Sequence, residues 1–156
     1  MMRKFYLRAV LVSAVVYLVV LSSAWAQPAS AGAERALFDS LNHERRAQGL
    51  PALRWNEALA DAARRHAQEM ARQDSVSHTL PGEPSLASRA TKAGARFSWI
   101  SENIVQSSSA AGAHDQFMKS PNHRANILDG DMDSVGIGIA ERHGQLFVVE
   151  DFAKIK

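Results

Sequence analysis

Apolar side chains recur every three to four residues along two stretches in the first half of the chain, a spacing that predicts amphipathic helices. The first helix is predicted from Glu34 to Gly49, since a glycine commonly ends a helix. The second is predicted to follow Asn56, which is a good N-cap residue. Its apolar face is formed by Leu59, Ala63, His66, Ala67 and Met70.

Three shorter helices are predicted further along the chain. Residues 74–84 carry turn-forming side chains and are interpreted as a loop, after which Ser85 caps a helix that ends near Gly94. A run of three serines precedes another helix, which extends to about Lys119. Pro121 is well placed to begin one more helical turn, because proline is favoured at the first helical position.

The apolar pattern changes in the second half of the chain and predicts strands. Residues 97–105 are rich in aromatic and β-branched side chains. Residues 135–140 alternate with a period of two, residues 146–150 form an apolar run, and His143-Gly144 between them fits a tight hairpin turn. Because helices come first and a hairpin last, we expect an α+β fold with helices packed on a small sheet.

The N-terminus has the pattern of a secretory signal peptide. Three basic residues precede a mostly apolar run at 9–21, and small residues then predict cleavage after Ala26. The apolar run is shorter than the roughly 20 residues that a membrane-spanning helix needs. The same charges also fit an uncleaved anchor, which would be the protein's only membrane contact. The predicted organisation is a signal at 1–26, a flexible lead-in at 27–33 and one domain at 34–156.

The net charge changes sign when the predicted signal peptide is left out of the count. The 156 residues carry 18 basic and 16 acidic side chains, a net charge of +2, but residues 27–156 carry a net charge of −1. A domain with this charge has no positive field to bind nucleic acid. The absence of cysteine excludes disulfides, thiolate metal sites and a lipid-modified N-terminus. It also fits a bacterial secreted or periplasmic protein better than a eukaryotic one.

Sequence motifs for common catalytic sites are missing. There is no P-loop and no Gly-x-Ser-x-Gly nucleophile elbow. Gly136 and Gly138 do not form a dinucleotide loop, because they lie inside a strand pattern that no helix follows. They are interpreted as positions of close packing or of a β-bulge.

Histidines and one glutamate are the main candidates for chemistry. His78 lies in a loop, His123 at the start of a helical turn, and Glu102 in the predicted strand. Imidazoles and a carboxylate in one cleft would suit Zn²⁺ or general acid–base chemistry. No HExxH or other close ligand pair is present, so spacing alone does not join these residues. His66 is interpreted as a hydrogen-bonded core histidine and His114 stays ambiguous.

Several short motifs occur together in an order that resembles the CAP superfamily. This is the SCP-like extracellular domain shared by cysteine-rich secretory proteins, antigen 5 and plant pathogenesis-related proteins of class 1. The similarity covers about residues 34–153 and is greatest to the short bacterial branch. The matching segments are residues 41–45, 49–55, 60–70, 77–78, 102–104, 120–128, 135–138 and 149–152.

The resemblance implies a fold and a site. The implied fold is an α-β-α sandwich with a small antiparallel sheet between helical layers. The implied cleft contains His78, Glu102 and His123, and the two histidines bind Zn²⁺ or another divalent ion in several family members. A water molecule could complete a tetrahedral metal site made by these three side chains. Many members have a second cleft glutamate just before the second histidine; here Asp115 or Glu83 is left to substitute for it.

The resemblance leaves the function open. The first interpretation is a binding or interaction module at the cell envelope whose cleft holds a divalent metal. The second is a metal-assisted hydrolase of peptide or cell-wall material, with Glu102 as base on a metal-bound water. The third is a lipid or sterol carrier whose pocket is lined near Phe97, Trp99 and Ile100. The alternative without a ligand is a buried polar network that stabilises the cleft.

Overall fold

The computed structural model describes residues 29–156, so the predicted signal at 1–26 lies outside the described residues. Within that range no helix combines the length and the apolar character needed to cross a membrane. The elements in chain order are α1 (Ala29–Ala47), β1 (Arg54–Trp55), α2 (Glu57–Gln73), α3 (Leu86–Lys92), β2 (Phe97–Ser107), α4 (Ala110–Lys119), α5 (Pro121–Ile127), β3 (Ser134–Arg142) and β4 (Gln145–Ile155).

Helix α1 begins earlier than the sequence pattern predicts. The predicted lead-in at 27–33 is helical from Ala29 onwards, five residues before the expected start at Glu34. The first residues are rich in alanine, which has the highest helix propensity. Glu34 is also 3% exposed and accepts hydrogen bonds from Arg64 of α2 at 2.8–3.2 Å, which holds the first turns of α1 on the domain.

The other helix ends are set by local sequence, as predicted. The side chains of Asn56, Ser85 and Ser109 each accept a hydrogen bond from a backbone N–H in the first turn of the helix that follows. Gly49 and Gly94 end α1 and α3 with φ angles of +72° and +100°, a conformation that favours glycine.

The four strands form one sheet in the order β1-β3-β4-β2. Strands β3 and β4 pair through a hairpin at His143 and Gly144, whose φ angles are +51° and +73°, and β2 pairs antiparallel with β4. The predicted α+β fold is therefore confirmed. The sheet is mixed, because the two residues of β1 run parallel to β3, and a strand of two residues leaves no periodic signal in the sequence.

Helices cover both faces of the sheet and complete an α-β-α sandwich. Helices α2 and α3 lie on one face, and α1, α4 and α5 lie on the other. The approach of α2 is unusually close: a Cβ at Gly136 would lie 2.0 Å from the backbone nitrogen of Ala60, and one at Gly138 would lie 2.1 Å from that of Arg64. These glycines therefore provide close packing, the first of their two predicted interpretations.

One buried arginine joins the C-terminal end of α1 to distant loops. Arg45 is fully buried, and burial lowers the pKa of its guanidinium. Its nitrogens donate hydrogen bonds to four backbone carbonyls, those of Pro51, Ile127, Asp129 and Met132. The guanidinium thus satisfies carbonyls in the connections around α5 that the sheet leaves unpaired.

Strand β2 lies at the edge of the sheet, between the two helical layers. Successive residues of a strand point to opposite faces, so neighbouring residues of β2 reach different layers. Glu102 contacts the side of α2 and α3, whereas Asn103 contacts the side of α5. The middle of β2 therefore contacts both layers at one edge of the sheet.

Candidate functional site

Glu102 joins the 74–85 loop to α3. Its side chain is 2% exposed; Oε1 lies 2.8 Å from His78 Nδ1, and Oε2 accepts a hydrogen bond from Arg89. Arg89 also donates to the carbonyls of His78 and Pro84, at 3.0 and 3.1 Å. The structure thus brings together two of the three predicted site residues. Arg89, which the sequence analysis did not single out, fixes both the carboxylate and the loop.

His78 is held at one nitrogen and open to solvent elsewhere. The His78 side chain is 61% exposed, and its contact with Glu102 leaves Nε2 as the accessible ring nitrogen. Hydrogen bonding to Glu102 raises the pKa of His78, partly opposed by desolvation.

His123 approaches from the opposite layer, at the start of α5. Its ring packs edge-on against Phe117 with centroids 5.3 Å apart, and its backbone carbonyl accepts a hydrogen bond from Asn103 Nδ2 at 3.1 Å. Burial lowers the pKa of His123, and the charge of His78 lowers it further. The lowered pKa favours the neutral form of the His123 imidazole, and its electrostatic interaction with His78 means that the two rings lie on the same side of the molecule.

The structure leaves two imidazoles as available metal ligands, whereas the predicted site has two imidazoles and the Glu102 carboxylate. Both oxygens of Glu102 are already engaged, one by His78 and the other by Arg89. Among residues 29–156 no group of three or more His, Cys, Asp or Glu side chains is arranged to hold a metal ion. The two imidazoles remain as available donors, and a carboxylate hydrogen-bonded to the second nitrogen of a histidine is the usual orienting partner of a metal ligand.

A third histidine, His66, lies on the buried side of the Glu102 carboxylate. His66 is fully buried on α2, with Nδ1 2.7 Å from Glu83 Oε1 and Nε2 3.8 Å from Glu102 Oε2. The prediction of a hydrogen-bonded core histidine is confirmed, but its partners belong to the candidate site. Glu83, one of two candidates for the missing second carboxylate, also lies 3.8 Å from Arg89. Glu83 rather than Asp115 is thus the carboxylate that the structure joins to this network.

Asp151 is a buried acid that the sequence analysis did not assign to the site. It is the cross-strand partner of Glu102 on β4, it is fully buried, and neither carboxylate oxygen has a hydrogen-bond partner in the described part of the chain. Burial raises the pKa of Asp151 well above its usual value, and the charge of Glu102 adds to this effect. Burial thus favours the protonated form of Asp151, which lies opposite Glu102 in the sheet. The sequence signal that could have identified Asp151 is the presence of an acid within an apolar strand pattern.

Trp99 does not lie in the core. Its side chain is 63% exposed and borders a surface groove of about 450 Å³ with Asp129, Asp131 and Lys154. Phe97 and Ile100 instead pack against the small core under α2 and α3. Of the three residues predicted near a lipid pocket, Trp99 therefore borders a surface groove, whereas Phe97 and Ile100 lie against the core.

Comparisons with known proteins agree on one family. The family model of the cysteine-rich secretory protein family, CAP, matches residues 38–152. The Bacillus subtilis protein YkwD is 29% identical over 116 residues, which are 73% of this chain and 45% of YkwD. The chain thus spans less than half the length of this relative.

Solved structures share the same fold. An extracellular protein containing an SCP domain from Bacillus anthracis has a TM-score of 0.75 and 27% identity, over 80% of this chain and 41% of that chain. An outer surface protein from Borrelia burgdorferi has a TM-score of 0.74 and 19% identity, over 80% and 94%. NaASP2, solved with Zn²⁺, has a TM-score of 0.56 and 10% identity, over 83% and 87%. At such identities the last two show the fold alone.

The resemblance drawn from short motifs is therefore confirmed on independent grounds. The family model covers more than two thirds of the chain, and the solved neighbours include extracellular and surface proteins of bacteria. Although it contains no cysteine, this chain belongs to the cysteine-rich secretory protein (CAP) family.

Proposed function

We propose that this protein is an extracytoplasmic binding module whose cleft binds a divalent metal ion through His78 and His123. The observation that carries the proposal is the 2.8 Å contact between His78 Nδ1 and Glu102, which orients the ring and leaves Nε2 available. Glu102 acts here as the orienting carboxylate rather than as a third ligand.

The chemistry of the two imidazoles supports zinc as the metal. Neutral imidazole nitrogen is a preferred zinc ligand, and the lowered pKa of His123 keeps that ring neutral. The presence of Zn²⁺ in NaASP2, a protein of the same fold, adds support. The ion would link the loop that carries His78 to α5, and waters would fill its remaining positions, where a partner could bind.

The hydrolase interpretation has less support. A general base needs a free oxygen that can reach a bound water. Arg89 and His78 engage both oxygens of Glu102. We therefore propose binding rather than catalysis as the role of the cleft.

Zinc titration tests the proposal. Residues 27–156 are titrated with Zn²⁺ by calorimetry, comparing the unchanged protein with His78→Ala and His123→Ala. Each substitution is expected to weaken binding at least tenfold, because each removes one of two protein ligands. Binding is also expected to weaken as the pH falls through the pKa of His78, because this ring must lose a proton to coordinate and its pKa is raised above 6.5.

A matched control separates the cleft from other histidines. His43 is exposed on α1, and the His43→Ala variant is expected to bind as the unchanged protein does. An unchanged protein without measurable binding, or equal loss in all three variants, would contradict the proposed metal site.

A further inference from the structure

Glu150 lies on the face of β4 opposite to Asp151 and belongs to a separate polar group. It is fully buried, Oε2 accepts a hydrogen bond from Asn103 Nδ2 at 3.2 Å, and Oε1 has no hydrogen-bond partner in the described part of the chain. Burying an acid whose second oxygen has no hydrogen-bond partner costs stability.

Both the nitrogen and the oxygen of the Asn103 side-chain amide make hydrogen bonds to neighbouring residues. Its Nδ2 donates both to Glu150 and to the backbone carbonyl of His123, and its Oδ1 accepts from Asn126 Nδ2 at 2.8 Å. A flipped amide would place Oδ1 against the His123 carbonyl oxygen and would set Nδ2 against the Asn126 amide nitrogen. The His123 carbonyl and Asn126 therefore fix the orientation of Asn103, and Glu150 accepts a hydrogen bond from the same Nδ2 and holds the amide in place.

The first turn of α5 is not held by a side-chain cap. The helix has seven residues, and its N-cap, Ser120, makes no side-chain capping bond. The bond from Asn103 to the His123 carbonyl is thus a direct connection between β2 and the backbone that carries the imidazole. A small shift of that backbone would move the ring relative to His78.

We infer that Glu150 is a positioning residue for His123, acting through the amide of Asn103. The inference rests on the proposed function, in which His123 is a metal ligand. Outer partners of this kind commonly change metal affinity by about 10- to 100-fold.

The protonation state of the Glu150 carboxyl determines which substitution is the closest mimic of this side chain. Burial raises the pKa of Glu150 to about 8, so the group is mostly neutral near pH 7. Glutamine keeps the shape and an acceptor oxygen for Asn103, whereas methionine keeps the length but removes the acceptor.

The experiment compares Glu150→Met, Glu150→Gln and Asn126→Ala with the unchanged protein, in residues 27–156. Zinc affinity is measured by calorimetry, and the imidazole ¹⁵N signals of His123 and His78 are recorded by NMR without metal at pH 7. Asn126 is only partly buried, so the Asn126→Ala variant tests the same amide with less risk to folding. Val148→Ala removes core volume on the same face of β4 and serves as the control for general destabilisation.

The expected result is specific to one ring. Glu150→Met and Asn126→Ala weaken zinc binding about tenfold or more and shift the His123 signals, while the His78 signals stay in place. Glu150→Gln and Val148→Ala bind within about threefold of the unchanged protein. Unmoved His123 signals in both Glu150→Met and Asn126→Ala, or an equal loss of affinity in Val148→Ala, would overturn the inference. If the unchanged protein binds no zinc, the proposed function fails, but the imidazole signals still decide whether Glu150 positions His123.

Discussion

At the scale of single residues, two adjacent acids on β4 are the least ordinary feature of the chain. Glu150 and Asp151 are both fully buried, they point to opposite faces of the sheet, and burial raises the pKa of each. Burial thus favours the protonated form of both carboxyl groups, of which Asp151 lies opposite Glu102 and Glu150 lies opposite Asn103 in the sheet. For Glu150, whose pKa is about 8, folding retains a proton that the unfolded chain releases at neutral pH.

The pH dependence of stability should reveal the proton on Glu150. Its pKa is about 8 in the folded protein against 4.5 as its ordinary value, so unfolding releases a proton between these values. The contribution of Glu150 to stability therefore falls as pH rises from about 5 to 8, by up to about 1.4 kcal/mol per pH unit. In Glu150→Gln this loss is absent. Urea unfolding of both proteins at pH 5, 6.5 and 8 checks the difference.

Taking the difference between the two proteins removes the effect of the other titrating groups, including Asp151 and the histidines. As the pH rises, the free energy of unfolding of Glu150→Gln should increase relative to that of the unchanged protein. Parallel stability profiles for the two proteins would show that Glu150 is already ionised at pH 5.

At the scale of elements, the contact between α2 and β3 determines the thickness of one layer. The backbone of α2 lies directly on Gly136 and Gly138, so no side chain separates the helix from the strand. This close contact also sets the depth of His66 on α2, which is fully buried 3.8 Å from Glu102. The glycines of β3 therefore help to position the polar groups behind the cleft.

Gly136→Ala should be strongly destabilising. Its Cβ would lie 2.0 Å from a backbone nitrogen of α2, and a backbone cannot rotate away as a side chain can. We expect a loss of more than about 2 kcal/mol in the free energy of unfolding, or failure to fold. Gly130→Ala is the control, since its nearest neighbour would be a leucine carbon at 3.7 Å. Equal stability of the two variants, measured by thermal unfolding, would contradict this account.

The helices and strands were predictable from the sequence where residues close in the chain determine their ends. The caps Asn56, Ser85 and Ser109 lie where the sequence predicts, because a side chain that bonds the first turn needs no distant partner. Strand β1 was not predictable, since its pairing with β3 depends on residues about 80 positions away. The early start of α1 likewise depends on the contact of Glu34 with Arg64.

The candidate site was predictable only through resemblance. His78 and Glu102 are 24 positions apart, and no periodicity joins a loop residue to a strand residue at that distance. Arg89 has no local signature, because its role arises from burial beside Glu102, and the only local signal for Asp151 is an acid within an apolar strand pattern. Motif order recovers the residues that a family shares, but it does not show which of them a neighbouring side chain already engages.

At the scale of the whole molecule, the sandwich places the two candidate histidines on different layers. His78 belongs to the layer of α2 and α3, His123 to that of α5, and β2 separates them at the edge of the sheet. A ligand bound between them would bridge the layers, so its affinity would depend on how the layers pack on the sheet.

The predicted signal gives a test at this scale. When the full chain is produced in a bacterium with a secretory pathway, we expect the exported protein to begin at Gln27 and to carry no lipid. Intact-mass measurement of the exported fraction checks both points. A mass that includes residues 1–26, found in the membrane fraction, would instead indicate the uncleaved anchor.

The buried Arg45 bears on where this protein can fold. It connects residues 84 positions apart through hydrogen bonds to carbonyl oxygens, a long-range tie of the kind that a disulfide provides in cystine-rich secreted domains. Hydrogen bonds to an arginine do not depend on redox potential, and the chain has no thiol to oxidise. Forming this fold therefore requires no oxidase and no disulfide isomerase.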